Sequence, residues 1–259
     1  MGLYLPQRWR RQPSLRVGVN LAHPSSDGLV LDGIYPAAGL YDTANTPAAL
    51  TVPNGIDSGT VDGVRPAYVF SGTKHINCGN PSKLGITGSI TVMAIVLPDP
   101  ACTAGQIIAK DKDTGGRAYN LDKNQNDYRF YIAGGLGADL IAWSGAGSDT
   151  KAVLCGRWIS TSNEISLWSD GLKKTSGTTT STSIPSATAN VLIGRREYAG
   201  FEGNWAGKIG LPRIWNRALS DAEIVNLSAD PDALFAPIPA RNYFFSAAAG
   251  DVLMAQACL

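Results

Sequence analysis

The stretch GKIGLPRIWNRALSDAEIVNL, Gly207–Leu227, decides the fold. It opens as an apolar run of strand character and turns, within a few residues, into a capped helix. Ser220-Asp221-Ala222-Glu223 has the form of a capping box, the serine facing the N3 amide and the glutamate reaching back to the serine amide. Ala222, Ile224, Val225 and Leu227 follow as one apolar face over about two turns. Asp230-Pro231 ends the helix, and Leu219 is placed to staple onto Ile224. A helix this short is marginal alone, so it must be packed onto something. Pro212 has no N–H to give to a ladder, which restricts the preceding strand to an edge or a bulge.

Working back from that stretch, the chain reads as short β runs. GLVLDGIY, PAYVFSG, GSITVMAIVLP, QIIAK, DYRFYIAG, DLIAWSG, EISLWSDG and ANVLIGR each hold β-branched or aromatic residues, with turn-rich separators between them. Asn126-Asp127-Tyr128 and Ser169-Asp170-Gly171 mark hairpin turns. Thr175 to Thr188 reads as a polar hairpin loop or an exposed strand. With 29 glycines, 15 prolines and only 17% charged residues, the composition favours turns and strands over helices. Strands at this spacing predict a sandwich or jelly roll, and no long repeat points to a propeller or solenoid. An apolar fraction of 44% over 259 residues supplies a real core.

The charge balance, 22 basic against 21 acidic residues, argues against a bulk electrostatic partner such as duplex nucleic acid. Cys78, Cys102, Cys155 and Cys258 form no CxxC pair, so they are expected as reduced thiols rather than as a zinc or redox site. No apolar run approaches the ~20 residues that would span a bilayer. The start MGLYLPQRWRRQ has arginines with no apolar region behind them, and Pro6 stands where myristoylation prefers serine or threonine. Synthesis and folding in a cytoplasm are expected.

Three segments carry a resemblance beyond the pattern. Ile209 to Ile224 resembles the last strand and terminal helix of laminin-G-like, concanavalin A-like domains. Asp62 to Asn80, DGVRPAYVFSGTKHINCGN, and Leu84 to Pro98, LGITGSITVMAIVLP, resemble their earlier strands in the same order. Ser169-Asp170-Gly171 and Asn190 to Arg195 fall where those domains carry a hairpin and the penultimate strand. The chain departs from the pattern at Gly210 and Leu211, where an Asp-Glu pair is common, and at Cys155 to Ile159. The resemblance implies an all-β, two-sheet antiparallel jelly-roll sandwich with one short C-terminal helix. It places the domain at 27–227, with extended arms over 1–26 and 228–259. The ends, RWRRQP and DPDALFAPIPARNYFFSAAA, are similar to those of laminin-G-like proteins encoded in tailed-phage structural operons.

Little in the sequence points to catalysis. A glycosidase needs two carboxylates about 5–10 Å apart across the sugar, and the four glutamates, Glu164, Glu197, Glu202 and Glu223, do not form the Glu-x-Asp-x-x-Glu strand of concanavalin-like glucanases. Glu197 and Glu202 are five apart and fall on opposite strand faces. His23 and His75 have no partner nucleophile, and Gly134-Gly135-Leu136-Gly137 reads as a turn. Asp111 and Asp113 are the calcium candidates, weighed against a solvated turn because Lys110 and Lys112 stand beside them. No other cofactor is indicated.

For sugar binding, the useful groups are aromatics beside amides. Tyr119 and Tyr128 with Asn120, Asn124 and Asn126 form one set. Tyr198, Phe201, Asn204 and Trp205 form the sharper one, in a glycine-rich loop. The arms offer Arg8, Trp9, Arg10, Arg11, Arg241, Tyr243 and Phe244 as docking anchors. The main expectation is a non-enzymatic virion protein, assembled in the host cytoplasm, that decorates a phage capsid or tail attachment as a homo-oligomer. The alternative is a carbohydrate-binding module that recognises host cell-surface glycans.

Overall fold

The computed structural model describes residues 17–34, 41–44, 47–52, 55–63, 65–112, 116–133, 139–145, 150–197 and 203–237. In chain order the first strands are β1 (Val17–Val19), β2 (Leu29–Ile34), β3 (Tyr41–Asp42), β4 (Asp57–Thr60), β5 (Pro66–Phe70) and β6 (Ile76–Asn77). Next come β7 (Ile90–Pro98), β8 (Ala104–Lys110), β9 (Tyr119–Asn124), β10 (Asp127–Ile132), β11 (Leu140–Ser144) and β12 (Ala152–Ile159). The last are β13 (Glu164–Ser169), β14 (Leu172–Thr178), β15 (Leu192–Ile193), β16 (Gly207–Trp215) and β17 (Phe235–Pro237), with α1 (Asp221–Ala229) between the final two.

Alternation in β7 sets the layers. Ile90, Val92, Ala94 and Val96 point into one apolar cluster, and Met93 and Ile95 into another. A strand buried on both faces belongs at the centre, and β7 lies mid-sheet in the order β14-β13-β12-β7-β16-β2-β3, with β5 paired to β16 and β4 to β5. The second sheet runs β11-β10-β9-β8-β15-β6. The larger cluster fills the space between the sheets, with Trp158, Trp205, Phe70, Phe130 and Tyr119 at its centre. The sheets approach closely at Gly156, where a Cβ would lie 2.4 Å from the Phe130 ring. The two-sheet sandwich expected from the strand pattern is the fold observed.

The opening stretch behaves largely as its residues dictate. β16 lies inside its sheet rather than at an edge, and Pro212 is accommodated by a bulge between Gly210 and Arg213. Leu211 takes φ +45° there. The extra residue changes which side chains face which layer: Ile209 and Ile214 enter the inter-sheet core, and Leu211 and Trp215 the outer cluster. The bulge also divides the strand, its first half pairing with β5 and its second with β2. The capping box on α1 is complete, and the Arg217 fork holds the Glu223 carboxyl down at about 2. The helix's buried face is narrower than its sequence suggests. Only Ile224 and Leu227 are buried, while Ala222 and Val225 face solvent. Ile224 and Leu227, with Leu219, lay the helix on the outer face of the nine-stranded sheet, each contributing about 1.5–3 kcal/mol if fully buried.

The domain boundaries need correction, because the folded body extends past both limits set at 27 and 227. β1 pairs with β17, Val17 opposite Pro237. Trp215 Nε1 donates to the Ser25 carbonyl at 2.7 Å, and Arg217 donates to the carbonyls of Pro24 and Asp27. Beyond the helix, Leu234 is buried and Arg213 Nη1 donates to the Pro231 carbonyl. Residues 17–26 and 228–237 are therefore body, held by polar groups of β16 and by the outer cluster. The Thr175–Thr188 stretch begins as exposed strand to Thr178. Asp139 then accepts from the amides and hydroxyls of Thr180 and Ser181. Cys78, Cys102 and Cys155 are buried free thiols; Cys258 lies outside the described residues. Among the described residues no helix is long and apolar enough to cross a membrane.

Candidate functional site

A tight turn fixes the register of the β9–β10 hairpin. Gln125 takes φ +54° beside Asn126, which sets Asn124 opposite Asp127, Asp122 opposite Arg129 and Asn120 opposite Tyr131. On the next strand Gln106 stands opposite Asp122, just before a bulge. Tyr119, Leu121, Tyr128, Phe130 and Ile132 enter the core. Strand alternation then places Asn120, Asp122, Arg129 and Tyr131 together on the opposite face. The helix and the outer apolar cluster occupy the other sheet, so this polar face is the sandwich's second outer surface.

These side chains form one hydrogen-bonded network. Arg129 donates from Nε and Nη2 to the two oxygens of Asp122, each at 2.8 Å, in the bidentate form that fixes both groups. Asn120 Nδ2 donates to Gln106 Oε1 and to the Tyr131 hydroxyl, and lies 3.3 Å from Asp122 Oδ2. Tyr131 in turn donates to Asp111 Oδ2 at 2.8 Å. Arg196 Nη1 reaches the same oxygen at 3.4 Å, and Arg117 Nε lies 3.5 Å from Asp111 Oδ1. Burial pushes the Asp122 carboxyl above its ordinary value, with the Arg129 hydrogen bonds and the Arg129 and Arg196 charges working against it. Burial, with the charges of Asp122 and Asp111, raises the Tyr131 phenol. Asn120 Oδ1 is fully buried and has no hydrogen-bond partner among the described residues, and Asp111 Oδ1 has none beyond its ionic contact. A buried acceptor left in this state costs about 1–3 kcal/mol.

The residues singled out in the sequence divide. Trp205 is a correction: it is fully buried in the inter-sheet core, so its ring is not available to stack on a ligand. Gly105 allows this, since a Cβ there would lie 2.7 Å from Trp205 Cα. Asn204 is half-buried beside it, its Oδ1 without a hydrogen-bond partner among the described residues. Tyr198 and Phe201 lie outside the described residues, as do Glu202, Asp113, Arg8, Trp9, Arg10, Arg11, Arg241, Tyr243 and Phe244. In the other sugar-binding set Tyr119 and Tyr128 are core residues, and Asn120 alone joins the polar network.

Asp111 is not the solvated turn residue that was weighed against calcium. It is fully buried and engaged by Tyr131, Arg117 and Arg196. Among the described residues no three His, Cys, Asp or Glu side chains are grouped to hold a metal. His23 accepts from the Ser25 amide, and His75 Nδ1 lies 3.0 Å from the Thr73 carbonyl. Glu197 accepts from the Asn190 amide. Glu164 pairs with Arg157 and Lys173, and Glu223 with Arg217. Asp122, Arg129, Tyr131 and Gln106 had not been picked out. For the first three the signal is polar residues two apart in YNLDKN and DYRFYI, on either side of the turn; Gln106, in AGQIIAK, has no such local signal.

Comparison with known proteins places the fold. The family model described as the concanavalin A-like lectin/glucanases superfamily, a laminin G-type model, matches residues 70–225. No curated protein sequence matches the chain. Among solved structures, the binding domain of Paraclostridial Mosquitocidal Protein 1 superposes with a TM-score of 0.64 at 13% identity, over 78% of this chain and 52% of that one. The binding domain of botulinum neurotoxin DC in complex with SialylT gives 0.62 at 12%, over 79% and 51%. The receptor binding domain of botulinum neurotoxin D gives 0.63 at 13%, over 79% and 53%. The chain spans about half the length of these solved chains, and at such identities the likeness is one of fold. With the matched model covering more than half of its residues, the chain belongs to the concanavalin A-like lectin/glucanases superfamily.

Proposed function

We propose that the chain is a lectin-like module that binds a glycan, without turnover, on the outer face of the six-stranded sheet. The observation that carries this reading is the network around Asn120, whose buried Oδ1 has no hydrogen-bond partner among the described residues. A polyol presents closely spaced donors and acceptors. An amide, a phenol, carboxylates and guanidinium groups held in fixed positions are the groups that match it. The comparison proteins lend support at the level of the fold. They are binding domains, and botulinum neurotoxin type C is described as interacting with two ganglioside molecules. Binding without turnover is supported by how the carboxylates are engaged. Asp122 is locked by Arg129, and Glu164, Glu197 and Glu223 each serve a structural partner.

The test is an oligosaccharide panel titrated against the full chain and against Asn120→Ala. The reading expects binding by the parent protein and a loss of about tenfold in the variant, measured at a temperature where the variant is still folded, because Gln106 Oε1 loses its donor at a cost of about 1–3 kcal/mol. Equal binding by both proteins would move the site elsewhere on the molecule. Release of reducing ends from any oligosaccharide bound would overturn the absence of turnover.

A second reading, a virion protein that decorates a phage capsid or tail through its terminal segments, draws on one observation. Val17 pairs with Pro237, so segments 1–16 and 238–259 continue from adjacent residues and could grip one partner together. The two readings are compatible in a receptor-binding virion component. Locating the protein on purified particles, with and without residues 1–16, tests the second. Particles that stay fully decorated by the truncated chain would count against docking through the N-terminal segment.

A further inference from the structure

We infer that the glycan meets this face at one open corner, where Arg129 and Asp127 read two adjacent, unsubstituted hydroxyl groups of a neutral sugar. The inference rests on the binding reading above and deepens it. The strand register lays the outer face out as a grid. Ser144, Asp127 and Asn124 share the row nearest the β9–β10 turn, and Ala142, Arg129 and Asp122 share the next. Tyr131 and Asn120 lie one row further from the turn. Exposure falls along the diagonal of that grid. Asp122, Tyr131 and Asn120 are buried, whereas Asp127, Asn124 and Arg129 are half-buried and Ser144 and Ala142 exposed. What a ligand touches therefore lies towards the turn and the edge strand β11. The deeper groups are its support. Asn120 Nδ2 approaches the Asp122 oxygen that Arg129 Nη2 engages, so Asn120 bears on the ligand through Arg129.

A donor and an acceptor stand side by side at that corner. Arg129 has its Nε and Nη2 on Asp122, and its Nη1 hydrogens take no partner among the described residues. Asp127 lies two positions away on the same strand, so the two side chains share a face. Its Oδ1 accepts from the Ser144 hydroxyl at 2.6 Å, which leaves its charge in place, and no second donor among the described residues reaches it. A sugar hydroxyl both donates and accepts. Of two adjacent ones, the first accepts from the guanidinium and the second donates to the carboxylate, both bonds being charge-assisted. Asp122 already orients the guanidinium, so it loses little freedom on binding. A sugar carboxylate set on Arg129 would also face Asp127, so acidity brings no advantage here. Ala142, opposite Arg129 on β11, is the small side chain that leaves room for a ring.

The experiment titrates the full chain with three oligosaccharides of one backbone: neutral, O-methylated and uronic-acid-bearing. Arg129→Gln would strand Asp122 in the interior, so Asp127→Asn and Ala142→Phe are the informative variants. The first keeps an acceptor for Ser144 and puts a donor in place of the open carboxylate oxygen. The second fills the space beside Arg129. They lie on different strands, so misfolding of one leaves the other, and titrations run below each variant's unfolding midpoint. The inference expects the O-methylated sugar to bind at least about tenfold more weakly than the neutral one, and the uronate no more tightly. Each variant should lose about tenfold in affinity for the neutral sugar. Affinity unchanged by O-methylation, or unchanged in both variants, would overturn the inference and leave glycan binding standing. A tenfold preference for the uronate would do the same. Failure of all three sugars to bind would remove both.

Discussion

At the scale of single residues, the outer layer depends on one buried ion pair. Arg213 and Asp32 are both fully buried and meet at 2.7 Å, tying β16 to β2. The same guanidinium donates to the Pro231 carbonyl and lies 5.1 Å from the centre of the Phe235 ring, so it also holds the chain beyond α1. Arg213→Ala leaves Asp32 unpaired in the interior and should cost about 3–5 kcal/mol, read by urea unfolding. An Asp32→Leu, Arg213→Met double variant should lose much less, because no lone charge remains. Lys110 gives a pH signature. Its buried ammonium donates to Asn80 and to the Ala189 carbonyl, and burial lowers its pKa from 10.5 to about 8. Between those values the unfolded chain holds a proton that the folded chain has released. Stability should therefore rise from about pH 8 to 10.5 relative to a Lys110→Met variant, as followed by chemical denaturation. Single residues were also where the sequence misled most. Trp205 has the composition of a binding loop around it, and only the backbone contact at Gly105 shows that it faces inward.

At the scale of elements, much was legible because local chemistry and tertiary demand agree. Ser220 and Glu223 cap α1 as their spacing requires, and Pro212 requires a bulge once its strand lies inside the sheet. The helix's apolar face was overestimated because sequence gives the stripe but not the width of the surface it meets. Val225 is 45% exposed for that reason. The candidate site was half legible. Recognising the turn at Asn126 implies the register that pairs Asp122 with Arg129 and Asn120 with Tyr131. The sheet position of Gln106 and the approach of Asp111 and Arg196 depend on long-range pairing that no local signal encodes. Close packing between sheets has a similar origin. Gly156→Val would drive a side chain into the Phe130 ring. It should destabilise the fold by about 1–3 kcal/mol, with a lower midpoint in denaturant and an unchanged m-value.

At the scale of the whole molecule, the sandwich has two outer surfaces of different character. One is closed by α1 and the segments around β1 and β17 over an apolar cluster. The other is polar, with buried carboxylates under an arginine rim. The closing segments are structural. Removing residues 1–26 should lower the melting temperature by several degrees, because Trp215 loses the Ser25 carbonyl and Arg217 the Pro24 carbonyl. The polar surface carries the functional claim, and the most direct measurement of it is amide hydrogen exchange with and without a bound oligosaccharide. The account predicts added protection in residues 104–112, 119–124 and 127–132. Protection confined to residues 17–26 and 230–237, or spread over the nine-stranded sheet, would contradict it.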